Sequence, residues 1–584
     1  MKPNKLLLLL LSVSLAFFQC TNKSKIKTST KQTFKFTTKD TTWKTMTLRE
    51  KIGQTMVIVS QYYSHIQFEG KDLDAFFEKY PVGGVFLPDW YYIYFGPKDS
   101  SRVYKIKQSI KGYAAHSRFP LIFMEDFERG LGLQYPNEYT HMPVEMSVGA
   151  ANSEELAYDF GKSIALEARD IGMNYLLHPV VDLNMNPLHS LVNERAISDD
   201  PDRAIPLLKK QIDAMHDQNI ITCIKHFPGD GATIRDQHLI TASNTLEWNE
   251  WKNTFGRVFQ ELINHGAASV MVGHLTFPAY QKEKYNGYYL PATLSKEIIT
   301  NLLKNDMNFK GVVISDALNM GGASGYYENE LETSIKCFEA GVDLMLWPSL
   351  AFMDTLEVRI LRGEIPMERL DDAVQRIWAM KERFGLLDNE VELFNELTQE
   401  KREFVDKTAQ KVAENAVTLV RGKEGFLPID TTTVKTILLV NVSERDKAQL
   451  FEHTKELLEN KGFKVELRYS LSYFNWNWRM DSLAYYDRII ACFENIYFDP
   501  VGIPFLKGKE AESVWTLNML PKEQIIAVSY SNPYYLNYYF QHVPVLINAY
   551  SSDKFSQEAV IKTITGEISF KGTSPVMFDH DILK

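Results

Sequence analysis

Cysteine is scarce, with four in 584 residues. Cys20 closes the apolar start of the chain, and Cys223, Cys337 and Cys492 are too widely spaced for a disulfide framework or a CxxC zinc pair. They read as small, buried apolar residues. No long lysine or arginine run follows the first twenty residues, and the formal net charge is -10, so nucleic acid is not the expected partner. A glycine-rich phosphate loop is also missing, since GDG at Gly229–Gly231 is too short for a dinucleotide fingerprint. HExxH and a first-strand HxH are lacking, which sets aside a zinc hydrolase. What is present is an ordinary globular composition, 45% hydrophobic and 24% charged, with 12% aromatic residues that fill cores and offer flat faces to rings. A chain of 584 residues is too long for one core, so a large domain plus a smaller one is expected.

The first twenty residues, MKPNKLLLLLLSVSLAFFQC, place Lys2 and Lys5 before an apolar run from Leu6 to Phe18 and then Cys20. That is the layout of an export signal, too short for a comfortable membrane span. It resembles a bacterial lipoprotein signal, which implies Cys20 as the lipidated residue, an exported periplasmic or cell-envelope location, and attachment to a membrane through that lipid. AFFQC departs from the usual small-residue pattern before the cysteine, and a plain secretory signal or an uncleaved anchor is the alternative. The polar stretch after it reads as a flexible tether over residues 21–44.

From about residue 45 to 395, short apolar strands alternate with amphipathic helices. Eight strands are expected, in TMVIVS, VGGVFL, PLIFMED, YLLHPVVDL, ITCIKHF, SVMVGHL, VVISDAL and VDLMLW. Helical patterns lie between most of them, with Ser153 and Ser295 placed as N-caps. The expected fold is therefore a (β/α)8 TIM-type barrel, with an open doubly wound sheet as runner-up. Residues 396–584 begin with a helix-forming linker and continue as a smaller α/β domain with a mainly parallel sheet.

A barrel puts its chemistry at the C-terminal ends of its strands. Asp126 ends the third expected strand, Lys225 and His226 the fifth, His274 the sixth and Asp316 the seventh. Any one of these is ordinarily a satisfied core polar group or a helix cap; five on one rim point to a site. Directly after the fifth strand, KHFPGDGATIRDQH (225–238) gathers two histidines and two aspartates.

That segment resembles the signature loop of the family 3 glycoside hydrolases, and of their β-N-acetylglucosaminidase branch, where the usual form is KHFPGHG, four residues, then D-S-H or D-T-H. PLIFMEDFERG, LLHPVVDLNMNP with Arg195 downstream, and GVVISDALNMGG are similar to three further landmarks, and the resemblance spans nearly the whole chain after the leader. It implies a retaining exo-β-N-acetylglucosaminidase acting on a terminal β-linked N-acetylglucosamine, with peptidoglycan-derived fragments as the source. Asp316 would be the nucleophile, since a carboxylate on a rigid element can form and release a glycosyl ester. His238 would be the acid/base, oriented and favoured in its protonated form by Asp236. Asp126, Arg195, Lys225 and His226 would grip the sugar hydroxyls, while Asp182 reads as a buried structural carboxylate and His274 as less secure. The mechanism implied needs no metal or organic cofactor. The aromatic runs YFNWNW (473–478) and YYLNYYF (534–540) read as core or interface rather than sugar platforms.

Three residues depart from the family pattern. Asp230 stands where histidine is usual, Gln237 replaces a small hydroxyl residue between Asp236 and His238, and Arg129 occupies a glycine position. Asp230 would bring like charge toward Asp236 if the two approach, and the bulk of Gln237 would reseat the loop over the leaving group. A β-glucosidase or β-xylosidase, a phosphorylase using phosphate in place of water, and a non-catalytic carbohydrate-binding envelope protein remain as alternatives. The retained D-x-H pair argues against the first, and the intact triplet Asp316, Asp236 and His238 against the last.

Overall fold

The run ITCIKHF forms the fifth strand of the barrel, Ile221–Phe227, buried at every residue. The computed structural model describes residues 36–60, 72–88, 102–388, 390–443, 449–471, 485–494, 506 and 508–578. Eight parallel strands make the first sheet: Met56–Val59, Gly84–Phe86, Ile122–Glu125, Tyr175–Leu176, Ile221–Phe227, Ser269–Val272, Val312–Ser315 and Met345–Leu346. The last pairs with the first, and a bridge from Ile314 to Leu344 brings the seventh and eighth together. Cys223 lies inside with Val57, Phe86, Met124, Tyr175, Met271 and Ile314. All three described cysteines are buried and free.

Two strands are shorter than their apolar runs. In YLLHPVVDL the regular ladder ends at Leu176, Pro179 having no N–H to donate, and Val180 bridges back to Lys225 beyond it. In VDLMLW the pairing ends at Leu346, where Trp347 turns into a left-handed conformation with φ 60°.

The helices follow from spacing and caps. Leu156, Phe160, Ile164 and Ala168 recur every fourth residue on the buried face of helix Glu154–Ile171. Burying each of the large ones contributes about 1.5–3 kcal/mol. Ser153 caps this helix by accepting from Leu156 N, and Gly172 ends it at φ 100°. Ser295 Oγ accepts from Ile298 N at 3.4 Å where the helical segment Glu297–Asp306 begins.

Residues 36–44, expected as part of a tether, instead pack on the barrel. Trp43 is buried, Phe36 meets Phe309 edge to face, and Trp378 Nε1 donates to Asp40 at 3.0 Å. An aromatic pair in this stretch has more to gain from apolar contact than from water. Residues 1–35, Cys20 among them, lie outside the described residues, as does YFNWNW.

Helix Gln399–Ala416 leads out of the barrel and packs against helices Glu145–Ala151 and Glu154–Ile171. Among the described residues the second sheet has six strands, ordered Thr418–Arg421, Val545–Asn548, Ile525–Ser529, Arg488–Glu494, Thr436–Ser443 and Lys464–Tyr469. Only the first is antiparallel to its neighbour. In YYLNYYF, Tyr534, Tyr535, Leu536 and Phe540 are buried, as core residues.

Candidate active site

At the C-terminal mouth of the barrel a cavity of about 540 Å³ is lined by Asp126, Arg195, Lys225, His226, His238 and Asp316, among others. Asp236 sits behind His238, and Cys20 lies outside the described residues.

One wall is a chain of charges. Lys225 Nζ, almost fully buried, donates to Asp126 Oδ1 at 2.6 Å and pairs with Glu128 Oε1 at 2.8 Å. Arg195 grips Glu128 with two parallel bonds, Nε to Oε2 at 2.8 Å and Nη2 to Oε1 at 2.7 Å. Burial alone would discharge these groups. The neighbouring opposite charges outweigh it, so Lys225 and Arg195 are held above their ordinary values and Glu128 well below its own. Asp126 keeps 42% of its side chain exposed, leaving lone pairs for a ligand hydroxyl. Glu128 was not singled out from the sequence; its position two residues after Asp126, within MEDFERG, was the available signal.

Behind this wall lie two histidine–aspartate pairs. His226 Nδ1 donates to Asp182 Oδ2 at 2.7 Å, which turns Nε2 toward the cavity. Asp182 Oδ1 accepts the backbone N–H groups of His226 and Asp230, so its structural reading agrees with the geometry. His189 Nδ1 accepts from Leu191 N and Val192 N. Its other nitrogen therefore carries the proton and donates to Asp230 Oδ1 at 2.8 Å. Burial would raise Asp230, but His189 and the Gly231 amide hold it below the usual carboxylate value. Asp230 is thus paired with His189, and its carboxyl pKa is lowered where an approach to Asp236 would have raised it. The turn here requires glycine. Gly231 has φ 110° and a Cβ would fall 2.0 Å from Leu183 O, while Gly229 has φ 113° and is pressed against Phe255.

The D-x-H pair closes on itself. Asp236 Oδ1 accepts both the backbone N–H of His238 at 2.8 Å and its ring Nδ1–H at 2.9 Å. Asp236 has no exposed side chain, whereas His238 is 40% exposed, so Nε2 is the atom offered to a ligand. Gln237 is buried between them. Its Oε1 accepts from His274 N at 2.7 Å and its carbonyl from Gly322 N at 3.1 Å. The bulk that set this position apart is an anchor.

Asp316 follows the seventh strand. Its Oδ1 accepts from Ala317 N at 2.8 Å, and its Oδ2 is buried with no hydrogen-bond partner. Burial would raise its pKa, but His274, His226, His238 and the Ala317 amide bring it below the ordinary value, so it is a carboxylate at neutral pH. His274 is pushed down by burial. Its Nε2 donates to Ala317 O at 2.9 Å and its Nδ1 meets Thr293 Oγ1 at 2.7 Å, so one nitrogen braces the turn that carries Asp316 and the other fixes the ring.

The second domain clasps the loop that carries Arg195. Ser198 Oγ donates to Pro575 O at 2.6 Å, Met577 N to Asp199 Oδ2 at 2.7 Å, and Arg203 to Ser574 O at 2.9 Å and Thr573 O at 3.1 Å. Arg129, at a glycine position of the family pattern, is buried in the cavity wall. Burial lowers its pKa, and the charges of Glu194, Glu128 and second-domain Glu494 oppose that.

The barrel sequence matches the family model "Glycosyl hydrolase family 3 N terminal domain" over residues 47–380. A β-N-acetylglucosaminidase/β-glucosidase of Cellulomonas fimi is 28% identical over 486 residues, covering 78% of this chain and 83% of that protein. Among solved structures, the β-glucoside phosphorylase BglX has a TM-score of 0.78 and 26% identity, covering 92% of this chain and 94% of its own. A family 3 β-N-acetylglucosaminidase from Paenibacillus sp. str. FPU-7 has a TM-score of 0.75 and 25% identity, covering 91% and 99%. With more than half of its length matched by the family model, the chain belongs to glycosyl hydrolase family 3.

Proposed function

We propose that the protein is a retaining exo-β-N-acetylglucosaminidase. One observation carries this reading: Asp316, whose Oδ2 has no hydrogen-bond partner, lines the same cavity as His238, whose Nδ1 is held by Asp236. A carboxylate oxygen without a hydrogen-bond partner is costly to bury; an electrophilic carbon that it attacks explains its retention.

In the first step Asp316 Oδ2 attacks the anomeric carbon while the bond to the leaving oxygen breaks, and His238 Nε2–H supplies the proton to that oxygen. Nδ1–H stays on Asp236, which balances the imidazolium charge. In the second step His238 Nε2 takes a proton from water, the oxygen attacks the anomeric carbon, and the ester to Asp316 breaks. Asp126, Lys225, His226 and Arg195 hold the sugar by charge-assisted hydrogen bonds, the charged wall being preorganised by Glu128.

The relatives' printed names support N-acetylglucosamine as the sugar, with glucose beside it in the Cellulomonas protein. We propose peptidoglycan-derived fragments as the source, and an exported protein anchored to a membrane by lipid on Cys20. A phosphorylase is the second reading, favoured by the likeness to a β-glucoside phosphorylase and by an imidazole donor, which puts no carboxylate beside incoming phosphate. The test is release of p-nitrophenol from the β-N-acetylglucosaminide and the β-glucoside, with and without phosphate. Free N-acetylglucosamine in both buffers supports hydrolysis, sugar phosphate converts it to phosphorolysis, and no release from either substrate sinks the reading.

A further inference from the structure

The charged wall of the cavity depends on a tight turn. Phe127 and Gly130 both lie in the left-handed region, with φ 37° and 71°, and Gly130 N donates to Phe127 O at 3.1 Å. Between them stand Arg129 and Glu128, the latter gripped by Arg195 and Lys225. A phenylalanine at φ 37° is costly to hold, so the surroundings must supply the restraint.

It comes from a helix that does not line the cavity. Glu167, on helix Glu154–Ile171, is fully buried, and no step of the reaction uses it. Its Oε2 accepts from Leu131 N, the residue after the turn, at 3.0 Å, and its Oε1 accepts from Thr140 N at 2.9 Å. One carboxylate thereby closes the neck of the loop 131–140, whose Gln134 lines the cavity. The neck is tight. A Cβ on Gly130 would stand 3.0 Å from Glu167 Oε2, and one on Gly132 would fall 2.1 Å from Thr140 C. The other side-chain ties of the loop attach beyond the turn. Arg102 Nη2 donates to Gln134 O at 2.9 Å, Tyr139 Oη to Asp170 Oδ2 at 2.7 Å, and Thr140 Oγ1 to Asp406 Oδ1 at 2.7 Å.

We propose that Glu167 is a positioning residue for the sugar site: by holding Leu131 and Thr140 together it fixes the turn that carries Glu128, and so the grip of Arg195 and Lys225. The inference rests on the glycosidase reading of the cavity. A carboxylate accepts at both oxygens, whereas the protonated acid puts an O–H where one of the two amides needs an acceptor. The charged groups facing Glu167 from the linker helix Gln399–Ala416 are Arg402, which favours the carboxylate, and Asp406, which opposes it. Asp170, one turn on along its own helix, is paired with Lys107 and Tyr139. Burial pushes Glu167 up to about 7. Both amides are therefore held above that value, and the hold weakens as pH falls through it.

The test measures KM for p-nitrophenyl β-N-acetylglucosaminide against pH in the wild type, Glu167→Gln and Asp406→Asn. Glu167→Gln keeps the shape of the side chain but accepts from only one amide. Well above pH 7 its KM is expected to exceed the wild-type value about 5- to 20-fold, with a smaller change in kcat. Well below, the wild type has lost the same bond, and the two are expected to agree within about twofold. Asp406 is exposed, and asparagine there keeps an acceptor for Thr140 while removing the charge. The midpoint of its KM profile is expected to move to lower pH, a result that holds the proposal to account even if Glu167→Gln does not fold. A ratio between Glu167→Gln and wild type that is the same at every pH, or an unmoved midpoint in Asp406→Asn, overturns the proposal; a merely structural glutamate gives both. Hydrogen exchange over residues 127–140, read by mass spectrometry at one pH, needs no substrate. Faster exchange in Glu167→Gln than in wild type supports the hold on the turn, and equal exchange overturns it. Should the wild type turn over no sugar substrate, the glycosidase reading fails separately and the exchange result decides whether Glu167 sets the turn.

Discussion

Gln237 Oε1 accepts the backbone N–H of His274 at 2.7 Å, so the residue between Asp236 and His238 is pinned to the strand end beside the turn that bears Asp316. The loop that offers an imidazole and the turn that offers a carboxylate are held in register by this bond. Gln237→Ser leaves the His274 N–H buried and unpaired, at a cost of about 1–3 kcal/mol. The expected outcome is a lowered midpoint in thermal unfolding, with kcat falling more than KM changes, read from steady-state kinetics.

The charged wall makes a second prediction. Lys225 faces both Asp126 and Glu128, and removing one partner of a buried ion pair costs about 3–5 kcal/mol. Lys225→Met is expected to destabilise the fold by that order in denaturant unfolding and to abolish measurable sugar binding in calorimetry. Wild-type affinity in a folded variant would contradict the assignment.

Arg203 tests the clasp between the domains. It donates to the carbonyls of Thr573 and Ser574, and losing charge-assisted bonds of this kind costs about 1.5–3 kcal/mol. Arg203→Ala is expected to loosen the loop that carries Arg195, raising KM severalfold with a smaller change in kcat. Unaltered kinetics would mean that the second domain does not support the sugar site.

A pH prediction follows from Glu167, whose carboxylate accepts from Leu131 N at 3.0 Å and Thr140 N at 2.9 Å. Burial pushes its pKa up from 4.5 to about 7, against the lowering effect of those amides. Between these values the folded protein keeps a proton that the unfolded chain has released, so this group's contribution to stability falls as pH rises. The difference in unfolding free energy between wild type and Glu167→Gln is expected to shift against the wild type between pH 4.5 and 7; a flat difference contradicts it.

Much of the frame was legible because its signals are local. ITCIKHF opens on the mostly apolar ITCI and is a strand end to end, buried at every residue. D-x-H is a unit of three residues whose hydrogen bonds close within it, so the resemblance of this short loop to the family's own was enough to convey the pair. The misses needed partners distant in the chain. The partner of Asp230, His189, lies 41 residues before it, so nothing in the loop itself shows what the carboxylate is for. Glu128 gained its place only when Arg195 and Lys225 converged on it, and Gln237 only when His274 presented an amide.

The most direct test of the central claim is the mass of His238→Ala after exposure to an activated aryl β-N-acetylglucosaminide. A good leaving group needs no proton to depart, but the ester formed still needs a base for its hydrolysis. The account predicts that this protein gains the mass of one N-acetylglucosaminyl residue, that the adduct maps to the peptide containing Asp316, and that Asp316→Asn gains nothing. An adduct on another residue, or turnover that persists in Asp316→Asn, would contradict it.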